Sequence, residues 1–319
     1  MLRRLAMILV TGLAFAGAVF AQGGAPVKIV IAFPPGGPVD FVARILAQGL
    51  GEELAQSVIV ENRPGANGAI SAQAVAKSAP DGTTLWFTSA GAAVMNPALY
   101  DSLTYDMQRD FAPVSLVVNN VEVLVVNPAN PATSVTELVA QSKQDAHPIP
   151  IASSGIGSMP HLAMELLADS SGAKLMHVPY KGAAPAITDV MGGQVSGFFG
   201  DIPGLIGFIK GGRLKPLGIA APSRHPLLPD VRTLDEQGIH GVESNNWYAL
   251  FAPARTPPAR IEQLNAGVRR VLTSESYRKR LLESGAEPMP STPGELAALV
   301  KADTAKWGRI IRDKKIKGE

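Results

Sequence analysis

Short apolar runs alternate with amphipathic stretches along most of the chain, and no other feature restricts its possible folds as tightly. Val27 to Phe33 holds five β-branched or aromatic residues in seven and reads as a buried strand. The turn Pro34-Pro35-Gly36-Gly37-Pro38 follows, then a helical stretch from Asp40 to Leu54 with Val42, Ile45, Leu46 and Leu50 on one stripe. Asp40 is placed to cap or begin that helix. Val58 to Val60 is a short strand, Ala69 to Lys77 an Ala-rich helix, and Thr84 to Thr88 a strand. Strand and helix in strict succession are the pattern of a parallel sheet covered on both faces.

A second run begins after a strand over Glu122 to Val126. Helices over Val135 to Lys143, Pro160 to Ala168, Ala184 to Met191 and Pro203 to Lys210 alternate with strands over Ile149 to Ala152, Leu175 to Val178, Val195 to Phe199 and Leu214 to Ala220. After a strand over Trp247 to Phe251 come three helical stretches, Pro258 to Leu272, Ser276 to Leu282 and Pro293 to Ile311. Three helices form no sheet of their own, so they are expected to pack back onto the first run. The fold class is therefore α/β, two-lobed in the manner of a Venus flytrap, each lobe a largely parallel sheet flanked by helices. The expected division is residues 22–126 with 240–319 in lobe one and 127–239 in lobe two, with crossings near 120–128 and 240–254. Two crossings restrict relative motion to hinge opening and closing.

Residues 1–21 follow a different logic. Arg3 and Arg4 precede an apolar stretch from Leu5 to Phe20, and Val19-Phe20-Ala21 places small side chains where a signal peptidase reads. This is a secretory signal, with cleavage expected before Gln22. Its removal leaves 27 basic against 27 acidic residues, a formally neutral chain with no basic, aromatic-interleaved tract for nucleic acid. The sequence contains no cysteine, which excludes thiol catalysis, a Cys-based zinc site, an iron–sulfur cluster and a lipoprotein anchor.

In open α/β sheets ligands meet the turns at the carboxyl ends of strands. In the turn after the first strand, Pro35, Gly36 and Gly37 lead to Asp40 and a helix N-terminus, whose free N–H groups suit a carboxylate. It is neither a Walker loop nor a dinucleotide fingerprint; its structural alternative is a tight connection. Ser153, Ser154, Gly155 and Ser158 form the corresponding turn in the second run, with Ser158 equally a helix cap. Thr88 and Ser89 offer hydroxyls at another strand end. Tyr180 and Lys181 follow a further strand, where Lys181 could neutralise an acid or simply be exposed. Asp201 could order water or accept from a ligand hydroxyl or amino group. His161 sits in an apolar helix, where a hydrogen-bonded structural histidine is the commoner explanation. No metal-ligand spacing occurs. A serine hydrolase built on Ser154 or Ser158 with His161 is the enzymatic alternative, but residues 153–158 lack a Gly-x-Ser-x-Gly elbow.

Several segments together, in order along the chain, resemble the periplasmic solute receptors of tripartite tricarboxylate transporters, the Bordetella uptake type. They include Phe33 to Asp40 with Ala43-Arg44, Val60 to Gly68, Pro80 to Leu85, Asn96 to Tyr100, His161 to Glu165, Val178 to Gly182, Gly192 to Val195, Leu228 to Val231, Leu250 to Pro253 and Lys306-Trp307. The resemblance implies a monomeric, non-enzymatic receptor with no cofactor that captures a small organic acid between two lobes and delivers it to a two-subunit membrane permease. It also implies that the turns at 34–38 and 153–158 hold the ligand. Presentation of the ligand to a sensor kinase is the alternative role. Phe33 departs from the family's frequent Tyr, and Ser196 from its first Asp, while Gly200 and Asp201 stand at the later acidic pair. Those departures raise the expectation of a less polar or bulkier acid, accommodated by space at Gly200.

Overall fold

The computed structural model describes residues 25–318; the signal reading of residues 1–21 lies outside them. In chain order the first elements are β1 (Val27–Ile31), α1 (Pro38–Leu54), β2 (Val58–Asn62), α2 (Ala69–Ala76), β3 (Thr84–Ser89), α3 (Asn96–Leu99), α4 (Met107–Asp110) and β4 (Phe111–Val126). Next come α5 (Val135–Gln144), β5 (Ile149–Ser153), α6 (Met159–Ser171), β6 (Leu175–Pro179), α7 (Ala183–Met191), β7 (Gly197–Asp201), α8 (Ile202–Lys210) and β8 (Lys215–Ile219). The chain closes with β9 (Asn245–Pro253), α9 (Pro258–Thr273), α10 (Glu275–Ser284), β10 (Glu287–Pro288) and α11 (Pro293–Asp313).

The strands join in the order β2-β1-β3-β9-β4-β7-β5-β6, with β8 and β10 also paired to β4. Pairs β1–β2, β1–β3, β5–β6 and β5–β7 are parallel, as the strand–helix alternation requires. The expected largely parallel sheets are nevertheless a mixed sheet, because every pair made by β4 and β9 is antiparallel. These two strands are joined to their neighbours in space through long detours of chain rather than through βαβ units. β4 is also three times longer than the expected strand over Glu122 to Val126. Its residues 111–121 pair with β9 and its residues 122–126 pair with β7 and β8. Pro113, Ser115 and the Asn119-Asn120 pair hide its first half from propensity reasoning. Pro113 stands beside a shift in the register with β9, the kind of irregular position where a strand tolerates proline.

Alternating side chains send each half of the sheet into two cores. Ile29, Ile31 and Phe87 pack with α1 and α9, while Val30, Trp86 and Phe251 pack with α11. Leu124, Ile151 and Phe199 pack with α5 and α6, while Val123, Ala152 and Phe198 pack with α7 and α8. The C-terminal helices lie on α1 and the first half of β4, where Asn265 Nδ2 donates to the carbonyls of Val114 and Ser291 at 2.7 Å. Among the described residues no helix is long and apolar enough to cross a membrane.

Candidate functional site

Four helices begin around one cavity. The N-cap of α1 is Gly37, with Pro38 in the first turn, and the first intrahelical acceptor bond is Phe41 N to Gly37 O at 3.0 Å. Val39 and Asp40 therefore carry N–H groups that the helix itself leaves free. Helix α6 starts at Met159-Pro160, α7 at Ala183-Ala184 after an uncapped Gly182, and α8 after Asp201. Gly37, Pro38, Val39, Ser158, Met159, Pro160, Ala183, Ala184 and Asp201 all line this cavity, a narrow space of about 30 Å³. A helix N-terminus carries partial positive charge and N–H groups without intrahelical partners, and no Lys or Arg lines the space. The site is thus built to take an anion on main-chain donors.

The turn at 34–38 is braced from outside the cavity. Asp40, which sits inside the first turn of α1 and does not cap it, accepts from Gly36 N at 3.0 Å, from Arg44 Nε and Nη2 at 2.9 Å, and from Asn62 Nδ2 at 2.9 Å. Asn62 Nδ2 also donates to Phe33 O at 3.0 Å. Burial alone would raise the Asp40 carboxyl, but the bonds from Arg44, Gly36 and Asn62 outweigh it and hold the group below the usual range. Pro35 and Gly36 are exposed and do not line the cavity, whereas Gly37 does.

The opposing turn is braced by two stacked histidines. Ser153 is buried, with Oγ 2.6 Å from His177 Nε2 and accepting from Gly155 N at 3.1 Å. Ser158 Oγ donates to Gly155 O at 2.7 Å and accepts from His161 N at 3.4 Å, so it caps α6 and pins the turn together. His161 Nδ1 accepts from Gly157 N at 3.0 Å, and its ring stacks on His177 at 3.7 Å. Burial, with His161 adjacent, pushes His177 down to about 4, so it is neutral at physiological pH. Ser154 and Ser158 line the cavity; Ser153 and His161 stand behind it. The serine–histidine contact that forms is Ser153–His177, on a hydroxyl with no exposure, while Glu165 faces His161 at 3.6 Å. Neither Ser154 nor Ser158 is bonded to a histidine ring.

A second, larger space shares Phe33 and Ser154 with the first and reaches Asn67, Ile70, Tyr100, Gly155, Tyr180 and Lys181. The Tyr180 hydroxyl donates to Asp189 at 2.6 Å and so is committed within the fold. Each turn also meets a residue from the other half of the sheet. Asn67 Nδ2 donates to Gly157 O at 3.1 Å, and a Cβ on Gly182 would stand 2.7 Å from the Pro34 ring. Thr88 is fully buried and lines neither space, whereas Ser89 lines the first.

Asp201 lines the cavity with only 6% of its surface exposed. It accepts from Asn246 Nδ2 at 2.9 Å and from the Tyr248 hydroxyl. Burial pushes its carboxyl up to about 7. Asn246, Phe198 and the Ala183-Ala184 pair also line the site, and sequence reasoning had not selected them. The uncapped Gly182-Ala183-Ala184 helix start could have revealed the alanines; nothing local marks Asn246, which β9 carries in from a distant part of the chain. The room expected beside Gly200 is filled, since a Cβ there would lie 2.2 Å from the Phe198 ring.

The family profile described as tripartite tricarboxylate transporter family receptor matches residues 42–316. The chain is 35% identical to the Bordetella pertussis protein BugT over 289 residues, covering 90% of this chain and 89% of BugT. Among solved structures, Rpa4515 of R. palustris with adipate superposes with a TM-score of 0.89 at 32% identity, covering 92% of this chain and 98% of that one. MatC of Rhodopseudomonas palustris with bound malate gives 0.85 at 32% identity, covering 90% and 98%.

Proposed function

The chain belongs to the tripartite tricarboxylate transporter family of receptors, and on that footing we propose that it is a monomeric, two-lobed periplasmic receptor that closes on a small organic acid. As a family receptor it is not an enzyme; it presents its ligand to the family's membrane permease. The observation that carries the ligand class is the convergence of four helix N-termini, with no cationic side chain, on one cavity. A carboxylate satisfies such donors without the desolvation mismatch that a cation would meet.

The lobe division proposed is residues 22–126 with 240–319 against 127–239. It is supported by the grouping of most core residues on one side or the other, although Met159 and Leu162 of α6 reach into the core around α11, and by the transfer of β4 from β9 to β7 and β8 at Val121-Glu122. Closure then follows from binding, because an acid touching both sets of helix ends adds contacts that an open form cannot make. Gly37, Val39, Ser89, Ser154, Ser158 and Asp201 are the proposed ligand contacts among the residues singled out from sequence or beside them. Pro35, Gly36, Asp40 and His161 are proposed to act by holding the turns, and Tyr180 and Lys181 to border the cleft's outer part. The dicarboxylates in the related structures are slender, and Phe198 closes the side beside Gly200, so an extended acid suits the cavity better than a bulky one.

Calorimetry on refolded, ligand-free protein with adipate, malate, citrate, glutamate, nicotinate and benzoate tests this reading. Saturable one-to-one binding of at least one slender acid is expected, and binding of none would overturn it. Light scattering during the same purification should give the mass of one chain.

A further inference from the structure

A second buried carboxyl stands directly beside Asp201. Glu122 on β4 is the register partner of Asp201 on β7, and Glu122 has no exposed surface. Each carboxyl spends one oxygen on neutral donors. Asp201 Oδ2 takes Asn246 and Tyr248, and Glu122 Oε2 takes Ser244 Oγ at 2.8 Å. The other two oxygens, Asp201 Oδ1 and Glu122 Oε1, are buried with no hydrogen-bond partner. Two unpaired carboxylate oxygens on adjacent buried residues are untenable with both groups charged, whereas one proton between them satisfies both.

No cation within the packed elements offers relief. On β9 the titratable neighbour is Tyr248, and β5 carries none. Lys215 on β8 donates to Asn130 O, Asp189 on α7 is bonded to Tyr180, and on α6 Glu165 faces His161 while Asp169 pairs with Lys314. Lys210 is at the far end of α8, Asp40 and Arg44 on α1 bond each other, and His225 interacts with Glu287 near β10. Apart from Tyr248, none of these is bonded to Asp201 or Glu122. Helices α9 and α11 lie against the other half of β4.

We propose that Asp201 and Glu122 share a proton beneath the cavity and that this pair discriminates ligand charge, taking up a further proton when an anion is bound. The inference rests on the receptor reading above for its ligand half only. The pair lies where β4, β7 and β9 meet, and Asp201 and Asn246 carry it to the cavity wall. A ligand carboxylate drawn in by the helix ends would otherwise face the Asp201 charge. Proton uptake removes that repulsion, so anionic ligands bind more tightly as pH falls through neutrality. The raised value of Asp201 places this response in the physiological range.

Two measurements test it. Carboxyl-carbon NMR of the ligand-free protein should show a signal titrating near or above neutral pH that is lost or shifted in Asp201→Asn and Glu122→Gln. Titration of both carboxyls below pH 5.5 would overturn the shared proton, as would shifts that follow sodium concentration instead of pH. Calorimetry with adipate and malate in phosphate and in Tris should then show net proton uptake on binding. Affinity should fall toward about tenfold per pH unit above neutrality, the limit for one linked proton, and Asp201→Asn should flatten that dependence. Binding with no proton exchange overturns the coupling. Binding of no acid at any pH overturns the receptor reading and the coupling with it, while the NMR titration still decides the shared proton by itself.

Discussion

Two aspartates at the same site carry opposite burdens. Asp40 has Arg44 and two further donors, Gly36 N and Asn62 Nδ2, so its carboxylate is stabilised in the fold. Its contribution is present above the ordinary aspartate range and is lost as pH falls through its lowered folded value. Asp201 and Glu122 have raised values, burial being the first cause in each. The native state therefore holds protons that the unfolded chain releases, and stability declines as pH rises from about 4 to about 7. Glu122→Gln should thus melt higher than the parent at pH 8, by roughly 1–3 kcal/mol, with the gap closing near pH 4. Thermal unfolding across that range checks it, and an equal gap at both ends would contradict the assignment. Gly182→Ala is expected to cost about 1–3 kcal/mol and to weaken acid binding. Its φ of +122° disfavours any side chain, and the added Cβ would meet Pro34 across the cleft. A calorimetric titration of the variant that matched the parent would show that this contact does not matter to the ligand.

At the scale of elements, caps separate function from stability. Ser158 begins α6 at the cavity and also ties Gly155, while Thr292 and Glu295 form a capping box on α11 away from it. Removing either hydroxyl should cost about 0.5–2 kcal/mol of stability. Ser158→Ala should also lower acid affinity severalfold, whereas Thr292→Ala should leave it unchanged; paired denaturation and binding curves on the two variants distinguish the roles. Most helices and the short parallel strands were legible from periodicity, since their apolar stripes are local. β4 was not, because a 16-residue strand that pairs first with β9 and then with β7 and β8 answers to partners far along the chain. Its asparagines and Pro113 are affordable only at the register shift and at the join between the two halves of the sheet.

For the molecule as a whole, a cavity made of helix ends from both halves of the sheet means that ligand energy is also folding energy. A bound acid at about one hundred times its Kd should raise stability by ~2.7 kcal/mol, seen as a rise in Tm of a few degrees. Such a shift with adipate or malate, absent with an uncharged analogue such as the corresponding diamide, would support main-chain anion capture. Equal shifts with both would contradict it.

Hydrophobic periodicity, glycine-rich corners and helix-start residues are properties of neighbouring residues, so the sequence alone determined the α/β class, the positions of the turns at 34–38 and 153–158, and the exclusion of thiol and metal-cluster chemistry. Which members of those turns face the ligand space depended on packing. Asp40 and His161 turn away to brace the backbone, and Phe198 fills the room that Gly200 leaves. Only tertiary structure could place Glu122 beside Asp201 and bring Asn246 beneath the same cavity. Those residues come from three strands whose pairing is set by long-range burial, and a carboxyl's proton affinity follows from what surrounds it rather than from its position in the chain.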